Sequence, residues 1–408
     1  MVLQSSILHQ IPINYRNISQ ELLNIENKNR SNIFSWKGQF SPQFVEVLLK
    51  RYSKEDSIIF DPFLGSGTVI SEASKLGLQA YGTEINPSAY TLSSLYQFIN
   101  ILPTQRQEII DIFLNKLNEK LPDNSLPLFN NIDENYSSEG IKSKIFNLGQ
   151  SFSDSALLKS FYEALIIFLD FDNKKLDISD IHNQSNKLSS LILNLPYSEK
   201  KIKIYHADSR QTPLKDSSVN FVITSPPYIN VFNYHQQYRK SAEFLGWNVL
   251  SIAKSEIGSN RKHRSNRFLT VIQYCLDIAL TFQEILRICS PNSRIIFVVG
   301  QQSNIRGVSF FNGELVAQIA YQILGLDLVL RQEREFMNRF GRIIKEDILH
   351  FYSKKVEAET FNLKQVKQLA INFLELAYLK ANNDVKKDIQ SAINMIDEVN
   401  PSPYYNYQ

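Results

Sequence analysis

Hydrophobic positions along the chain switch between two rhythms. Ser57-Ile58-Ile59-Phe60 is a short β-rich run that ends at Asp61-Pro62. A glycine-rich turn follows, and then a helix-like stretch from about Thr68 that stops at Gly77, a residue type that commonly ends helices. Residues 78–83 predict the next strand, which ends at Glu84. Strand, helix and strand in that order form a βαβ unit, which requires parallel strands and predicts a three-layer α/β sheet. The alternation then lapses. After Thr104, a candidate cap, Ile109, Ile110, Phe113, Leu114, Leu117 and Leu121 recur at helical spacing. A loop-rich stretch over 122–140 leads to a second helical run at 157–171, so residues 100–200 read as a mostly helical insertion.

The sheet pattern resumes with a strand at 201–205 leading to Asp208, and another at 219–223 ending at Thr224. A polar, basic stretch runs to Arg267, and a helix through Cys289 precedes a strand at 294–299 closed by Gly300. A helix at 314–324 is followed by strands at 327–333 and 347–352 with no helix between them, which predicts an antiparallel pair at one sheet edge. From Ala358 onward the pattern is helical again, with Val366, Leu369, Phe373, Leu376 and Ala377 on one face, then Val385, Ile389, Ile393 and Ile396. The fold class expected is a doubly wound α/β sheet with an antiparallel edge strand, a helical insertion and a helical C-terminal tail.

Composition narrows the picture only a little. The chain has 408 residues, too many for one minimal domain, with 43% hydrophobic and 21% charged residues, so global disorder is excluded. A net charge of +3 excludes a protein that is basic all over. It leaves a nucleic-acid partner open, because only the contacting face needs to be positive. Cys275 and Cys289 cannot build a disulfide framework or a four-cysteine zinc site, and they read as buried structural thiols. The scattered histidines show no metal-ligand spacing, so no metal is expected. The first residues lack a signal-peptide order, and no uninterrupted apolar run reaches the ~18 to 20 residues of a membrane helix. The expectation is a cytoplasmic protein without a membrane partner.

Candidate chemistry begins with Asp61-Pro62-Phe63-Leu64-Gly65-Ser66-Gly67-Thr68, directly after a strand and opening a helix. Glycines there let the backbone turn sharply and approach a ligand, and the helix start offers unpaired N–H groups. Glu84 ends the next strand 23 residues after Asp61, where an acid can accept both ribose hydroxyls of a nucleoside cofactor. An ordinary tight turn is the bland alternative, and no lysine follows Gly67 as a phosphate-binding P-loop would require. The second signal is Thr224-Ser225-Pro226-Pro227-Tyr228, again directly after a strand. Two prolines hold the chain extended with no N–H, so their carbonyls face outward. Ser225 and the Pro226 carbonyl form an acceptor pair for an amine, and Tyr228 a stacking plate; a stiff loop with a packing tyrosine is the bland reading.

These motifs resemble those of the S-adenosylmethionine-dependent DNA amino-methyltransferases, which methylate N4 of cytosine or N6 of adenine. The resemblance covers roughly residues 32–90 and 200–353. It implies a Rossmann-like class I methyltransferase sheet that binds S-adenosyl-L-methionine. The cofactor residues it implies are Gln39 and Phe40 from Lys37-Gly38-Gln39-Phe40-Ser41-Pro42, then Asp61, Pro62, Phe63, Gly65, Gly67, Thr68, Glu84 and Thr224, with Asp208 meeting the adenine amine. Ser225, Pro226, Pro227 and Tyr228 are then the catalytic set. Serine as the first motif residue is more usual in N4-cytosine enzymes, and aspartate in N6-adenine enzymes. Division of the chain follows: 1–99 as the cofactor half, 100–200 as an insertion that could read DNA or act as a clamp, 201–353 as the catalytic half, and 354–408 as the tail.

The target amine lies inside a duplex, so the base must be flipped out. C5-cytosine methylation needs a cysteine after a proline, and the chain has no Pro-Cys pair. Between 254 and 267, Lys254, Arg261, Lys262, Arg264 and Arg267 stand against the single acid Glu256. With Arg239, these basic residues of the 229–267 loop are the candidate contacts to DNA phosphates; a solvated surface is the alternative. His235 reads as a polar contact rather than a base, and Trp36 and Trp247 as core or cofactor-wall residues. The partners expected are double-stranded DNA and a cognate restriction endonuclease, with association to the nucleoid; the chain acts as a monomer or dimer. The rival readings are N6-adenine methylation, an RNA amino-methyltransferase, and a catalytically idle nucleic-acid-binding module.

Overall fold

The computed structural model describes residues 6–122, 138–173, 176–229, 233–259, 263, 265–338, 341–353 and 362–405. Its strands are β1 (Ile58–Asp61), β2 (Gln79–Glu84), β3 (Ile202–His206), β4 (Val219–Thr224), β5 (Cys289–Gly300), β6 (Gln302–Ile305), β7 (Val308–Phe311), β8 (Asp327–Met337) and β9 (Ile343–Tyr352). Seven of them form one sheet in the order β3-β2-β1-β4-β5-β9-β8. The first five are parallel, β9 runs antiparallel beside β5, and β8 runs antiparallel beside β9. The expected α/β sheet with its antiparallel edge is therefore the observed architecture. The chain order reverses direction across the sheet between β1 and β4, which opens a crevice at their carboxyl ends where ligands bind in such sheets.

Alternation along each strand sends side chains to opposite faces. Ile59, Phe221, Ile223, Ile296 and Val298 pack into one apolar layer, and Phe60, Val222, Ile295, Phe297 and Val299 into the other. Helix Leu269–Ile288 covers the second face and packs against helix Leu363–Lys380. It is long and apolar enough to cross a membrane by composition, yet 83% of its most apolar window is buried within the protein. Asp277, Thr281 and Glu284 interrupt its sequence, so no unbroken apolar run marks it. Both cysteines are free and buried, and burial pushes the Cys289 thiol up to about 12.

Between β2 and β3 lie helices Pro103–Lys120, Ser138–Gln150, Ala156–Leu169 and Ile178–Leu193. Pro103 rather than Thr104 opens the first of them, since proline is preorganised for the first helical position. The two ends of this stretch are tied together by one buried side chain. Arg106 donates to the carbonyls of Ile99 and Ile101 on the way in, and of Ile192, Leu195 and Pro196 on the way out. A guanidinium carries five donors, and here they reach carbonyls from both ends of the stretch, where the chain reverses. Two further differences from the sequence reading concern strands. The β6–β7 hairpin was not foreseen, and β8 and β9 extend to Met337 and from Ile343, well beyond the predicted ends. In both cases cross-strand pairing outweighs a polar sequence with little apolar alternation.

Candidate functional site

Two cavities meet at the carboxyl ends of β1 and β4. The first is lined by the ends of β1, β2 and β3 with the turns that follow them, and counting its open mouth it holds about 880 Å³. Asp61, Pro62, Phe63, Gly65, Thr68, Glu84 and Asp208 lie on its wall, with Gln39 and Phe40 from the N-terminal strap 36–40. The second is a wider cleft between Pro226, Tyr228, the segment 233–237, the strap and the β8–β9 hairpin. Ser225 lies on the wall of both. The sequence-predicted residues Gly67 and Thr224 stand just behind these walls, where they hold the loops in place.

The turn after β1 owes its shape to its glycines. Gly65 and Gly67 have φ of +55° and +90°, a region open mainly to glycine. A Cβ on Gly67 would lie 2.5 Å from the Tyr96 ring, so the helix Thr68–Lys75 can start there only without a side chain. A Cβ on Gly65 would press on Trp36, which lies over the turn. Thr68 Oγ1 donates to Asn32, and Ser66 Oγ to Gln39, which ties the strap to the turn. Across the strap, Trp36 stacks on Tyr234 and Tyr238, and Gln237 donates to the Ser35 carbonyl. The expected role of Trp36 as a wall residue agrees with this position.

Carboxylates dominate the first cavity. Asp61 accepts from Thr224 Oγ1 at 2.6 Å and from the Phe63 N–H, which links the ends of β4 and β1. Glu84 accepts from the N–H groups of Gly65 and Asn86, both at 2.7 Å. Burial pushes each acid up to about 7, against the stabilising effect of those donors. A cationic ligand with hydroxyl and amine donors fits this wall: its charge offsets the acids, and its donors meet oxygens that retain acceptor capacity. Those are the features of S-adenosylmethionine. Asp208 also lies on the wall, but its oxygens are engaged by Arg210.

In the cleft, Tyr228 donates its hydroxyl to Glu346 at 2.8 Å, and Glu346 pairs with Arg334. Burial raises the Tyr228 phenol well above its usual value, so it stays a neutral donor. Its hydrogen is thus committed to Glu346, and Ser225 Oγ, 3.4 Å from the phenol oxygen, is the donor within that pair. The lone pairs of Ser225 remain for an incoming amine. Gly300, at the end of β5, lets the Tyr228 ring pack close: a Cβ there would lie 2.9 Å from it. The Glu346–Arg334 pair had no sequence signal linking it to the Ser225–Tyr228 motif, because β8 and β9 meet that motif only through the sheet edge.

The candidate DNA contacts divide three ways. Arg239 is half-buried and pairs with Glu243, Lys254 is exposed, and Arg267 is half-buried. Arg261, Lys262 and Arg264 lie outside the described residues. None of the described three lines either cavity; Lys37, Arg334 and Lys345 do so instead. His235 is buried and turns its Nδ1 to Glu256 at 2.9 Å. Among the described residues no group of acids, histidines and cysteines could hold a metal ion.

A family model described as DNA methylase matches residues 13–94 of the chain. A Type II methyltransferase of Geobacillus stearothermophilus, M.BsoBI, is 23% identical over an alignment that covers 80% of this chain and 86% of that protein. Another, M.MjaII of Methanocaldococcus jannaschii, is 34% identical over 92 residues, 22% of this chain and 17% of that one. Among solved structures, a SAM-dependent methyltransferase of Methanosarcina mazei covers 75% of this chain and 97% of its own length, at 12% identity and a TM-score of 0.32. The match over 13–94 takes in the strap, the glycine turn and Glu84, residues that line the first cavity, and over this region the chain is similar to DNA methylases.

Proposed function

We propose that this DNA methyltransferase of the N4/N6 type acts on the N4 amine of a cytosine flipped out of duplex DNA, as the modification half of a bacterial restriction system. The observation that carries the reading is the position of Ser225, on the wall between the carboxylate-lined cavity and the open cleft. S-adenosylmethionine supplies a methyl on a sulfonium, a leaving group good enough to need no covalent enzyme intermediate. Ser225 Oγ and the Pro226 carbonyl accept the two N–H groups of the target amine. This draws the nitrogen lone pair out of conjugation and turns it toward the first cavity. Tyr228, fixed by Gly300 and Glu346, forms the plate against which the flipped ring rests. The proton shed after transfer passes to solvent through the open cleft. Serine at the head of the motif favours cytosine over adenine, and a Type II methyltransferase as a relative over most of the chain favours a restriction partner.

Incubation with S-adenosylmethionine and plasmid DNA, followed by digestion to nucleosides and mass identification, tests this reading. N4-methylcytosine is the expected product. N6-methyladenine would move the target to adenine within the same chemistry, and label found only in RNA would overturn the DNA substrate.

A further inference from the structure

The acid assigned by resemblance to the adenine amine has little capacity left to accept it. Asp208 Oδ1 takes the backbone N–H and the Nε–H of Arg210, at 3.0 and 2.9 Å. Its Oδ2 takes the other arm of the same guanidinium at 2.6 Å and lies 3.4 Å from the Tyr405 N–H. Arg210 is fully buried and is itself held by Asp277 and by the carbonyls of Ser402 and Pro403. Oδ1 therefore has two donors at bonding distance and Oδ2 one short contact from the same guanidinium, with the Tyr405 N–H farther off. A ligand amine directed at Asp208 would compete with this buried guanidinium for its oxygens, and a donor left unpaired there costs about 1–3 kcal/mol.

A second carboxylate on the same wall has that capacity. Glu256 is buried and lines the first cavity. One of its oxygens, Oε2, meets His235 Nδ1 at 2.9 Å; the other, Oε1, is 3.5 Å from Asn86 Nδ2, beyond the usual range of an N–H···O bond. Asn86 separates the two acids: its backbone N–H donates to Glu84, its side-chain oxygen caps helix Pro87–Ser94, and its amide points at Glu256. Moving around the wall from the glycine turn, the order is Gly65, Glu84, Asn86, Glu256. With Glu84 taken as the ribose acid, the next acceptor outward faces the base.

We infer that Glu256, oriented by His235, is the carboxylate that accepts the adenine amine of the cofactor, and that Asp208 instead braces Arg210 and the C-terminal segment 402–405. The inference rests on the methyltransferase reading of the cavity. Glu256 is then a binding residue and His235 a positioning residue, which explains why the one acid in a basic stretch is buried rather than solvated.

The test is calorimetric titration of the full chain with S-adenosylhomocysteine and with S-inosylhomocysteine, in which an oxygen replaces the amine. The wild-type protein is expected to prefer the adenosyl ligand by roughly tenfold or more, since a site that accepts from an amine leaves an acceptor unpaired against a carbonyl. Glu256→Gln, whose amide can donate to that carbonyl, should erase or reverse the preference, and His235→Ala should narrow it. A Glu256→Gln protein that keeps the full preference while Asp208→Asn loses it would overturn the inference in favour of Asp208. Equal weakening toward both ligands, with a lowered melting temperature, would mean that Glu256 and His235 are a structural pair only, and would also overturn it. A wild-type protein that binds neither ligand would remove the methyltransferase reading itself, an outcome separate from the other two.

Discussion

The first cavity takes much of its wall from turns that follow β1, β2 and β3, closed by the strap 36–40 and residues 255–257. The catalytic cleft takes much of its wall from the β8–β9 hairpin and the N-terminal strap, which reach Ser225 from opposite ends of the chain. Their charges differ as well. The first cavity carries Asp61, Glu84, Asp208 and Glu256 on its wall, the cleft carries Lys345 and the Arg334–Glu346 pair, and Lys37 lies on both. An acidic pocket suits a cationic sulfonium, and a cleft without unpaired acids suits a polyanion. Ser225 stands where the two meet, so in the proposed reaction the methyl donor and the target amine approach each other across a single side chain.

If the two regions are this distinct, they should fail separately. Replacing both Ser225 and Pro226 by alanine removes one acceptor and relaxes the position of the other. Transfer should fall at least about 100-fold, the scale of losing one positioned hydrogen-bond partner in a transition state. Binding of S-adenosylhomocysteine should stay within a few-fold, and a loss of binding equal to the loss of rate would mean that the cavities are not separable. The opposite lesion is Gly67→Ala, which places a Cβ 2.5 Å from the Tyr96 ring on a backbone at φ +90°. Overpacking and positive-φ strain together should cost about 2–4 kcal/mol. Denaturant melts should show a lowered midpoint, and cofactor affinity should fall with it.

How far the sequence foretold each region follows from the same contrast. The glycine turn, Glu84 and the Ser225–Tyr228 motif are local: each is a short run at a strand end, where backbone needs and ligand chemistry leave a signature in neighbouring residues. The parallel strands were legible because residues such as Ile59, Phe60, Val222 and Ile223 are buried on both faces and read as unbroken apolar runs. The β8–β9 extension was not, since Arg334, Glu335, Lys345 and Glu346 look like surface residues until pairing brings Glu346 under Tyr228. Nor could spacing reveal that Arg210 engages Asp208, two residues before it: a carboxylate looks the same in sequence whether its oxygens are free or taken. Charge counts along the chain likewise do not report which side chains turn toward the cleft: Arg239, Lys254 and Arg267 do not line it, and Lys345 does.

A smaller effect separates positioning from binding within the cleft. Glu346→Gln keeps an acceptor for the Tyr228 hydroxyl but removes the charge that pairs with Arg334. The Tyr228 ring should then lose part of its fixed orientation, and the turnover rate should fall roughly tenfold, the scale of a slightly displaced positioning group. Cofactor affinity should be unchanged, because Glu346 does not line that cavity. A shift in cofactor affinity of the same size would join the two regions that the structure holds apart.

The smallest effect concerns pH and belongs to the cavity alone. Asp61 and Glu84 are both pushed up to about 7 by burial, above the ordinary carboxylate range. For the free protein, a raised acid favours the folded state while protonated, so this contribution is present at low pH and is lost as pH rises through about 7. A cationic ligand reverses the preference, since it binds best to the ionised acids and releases their protons. Affinity for S-adenosylmethionine should therefore rise several-fold between about pH 6 and pH 8, with proton release measurable as a dependence of the binding enthalpy on the buffer. Glu84→Gln should flatten most of that rise. Turnover measured at saturating cofactor should keep its pH dependence in the mutant, because Ser225 and the buried Tyr228 phenol do not ionise in this range. A rise that survives Glu84→Gln unchanged would assign the titration to Asp61, and with it to the β1–β4 link rather than to the ribose side of the wall.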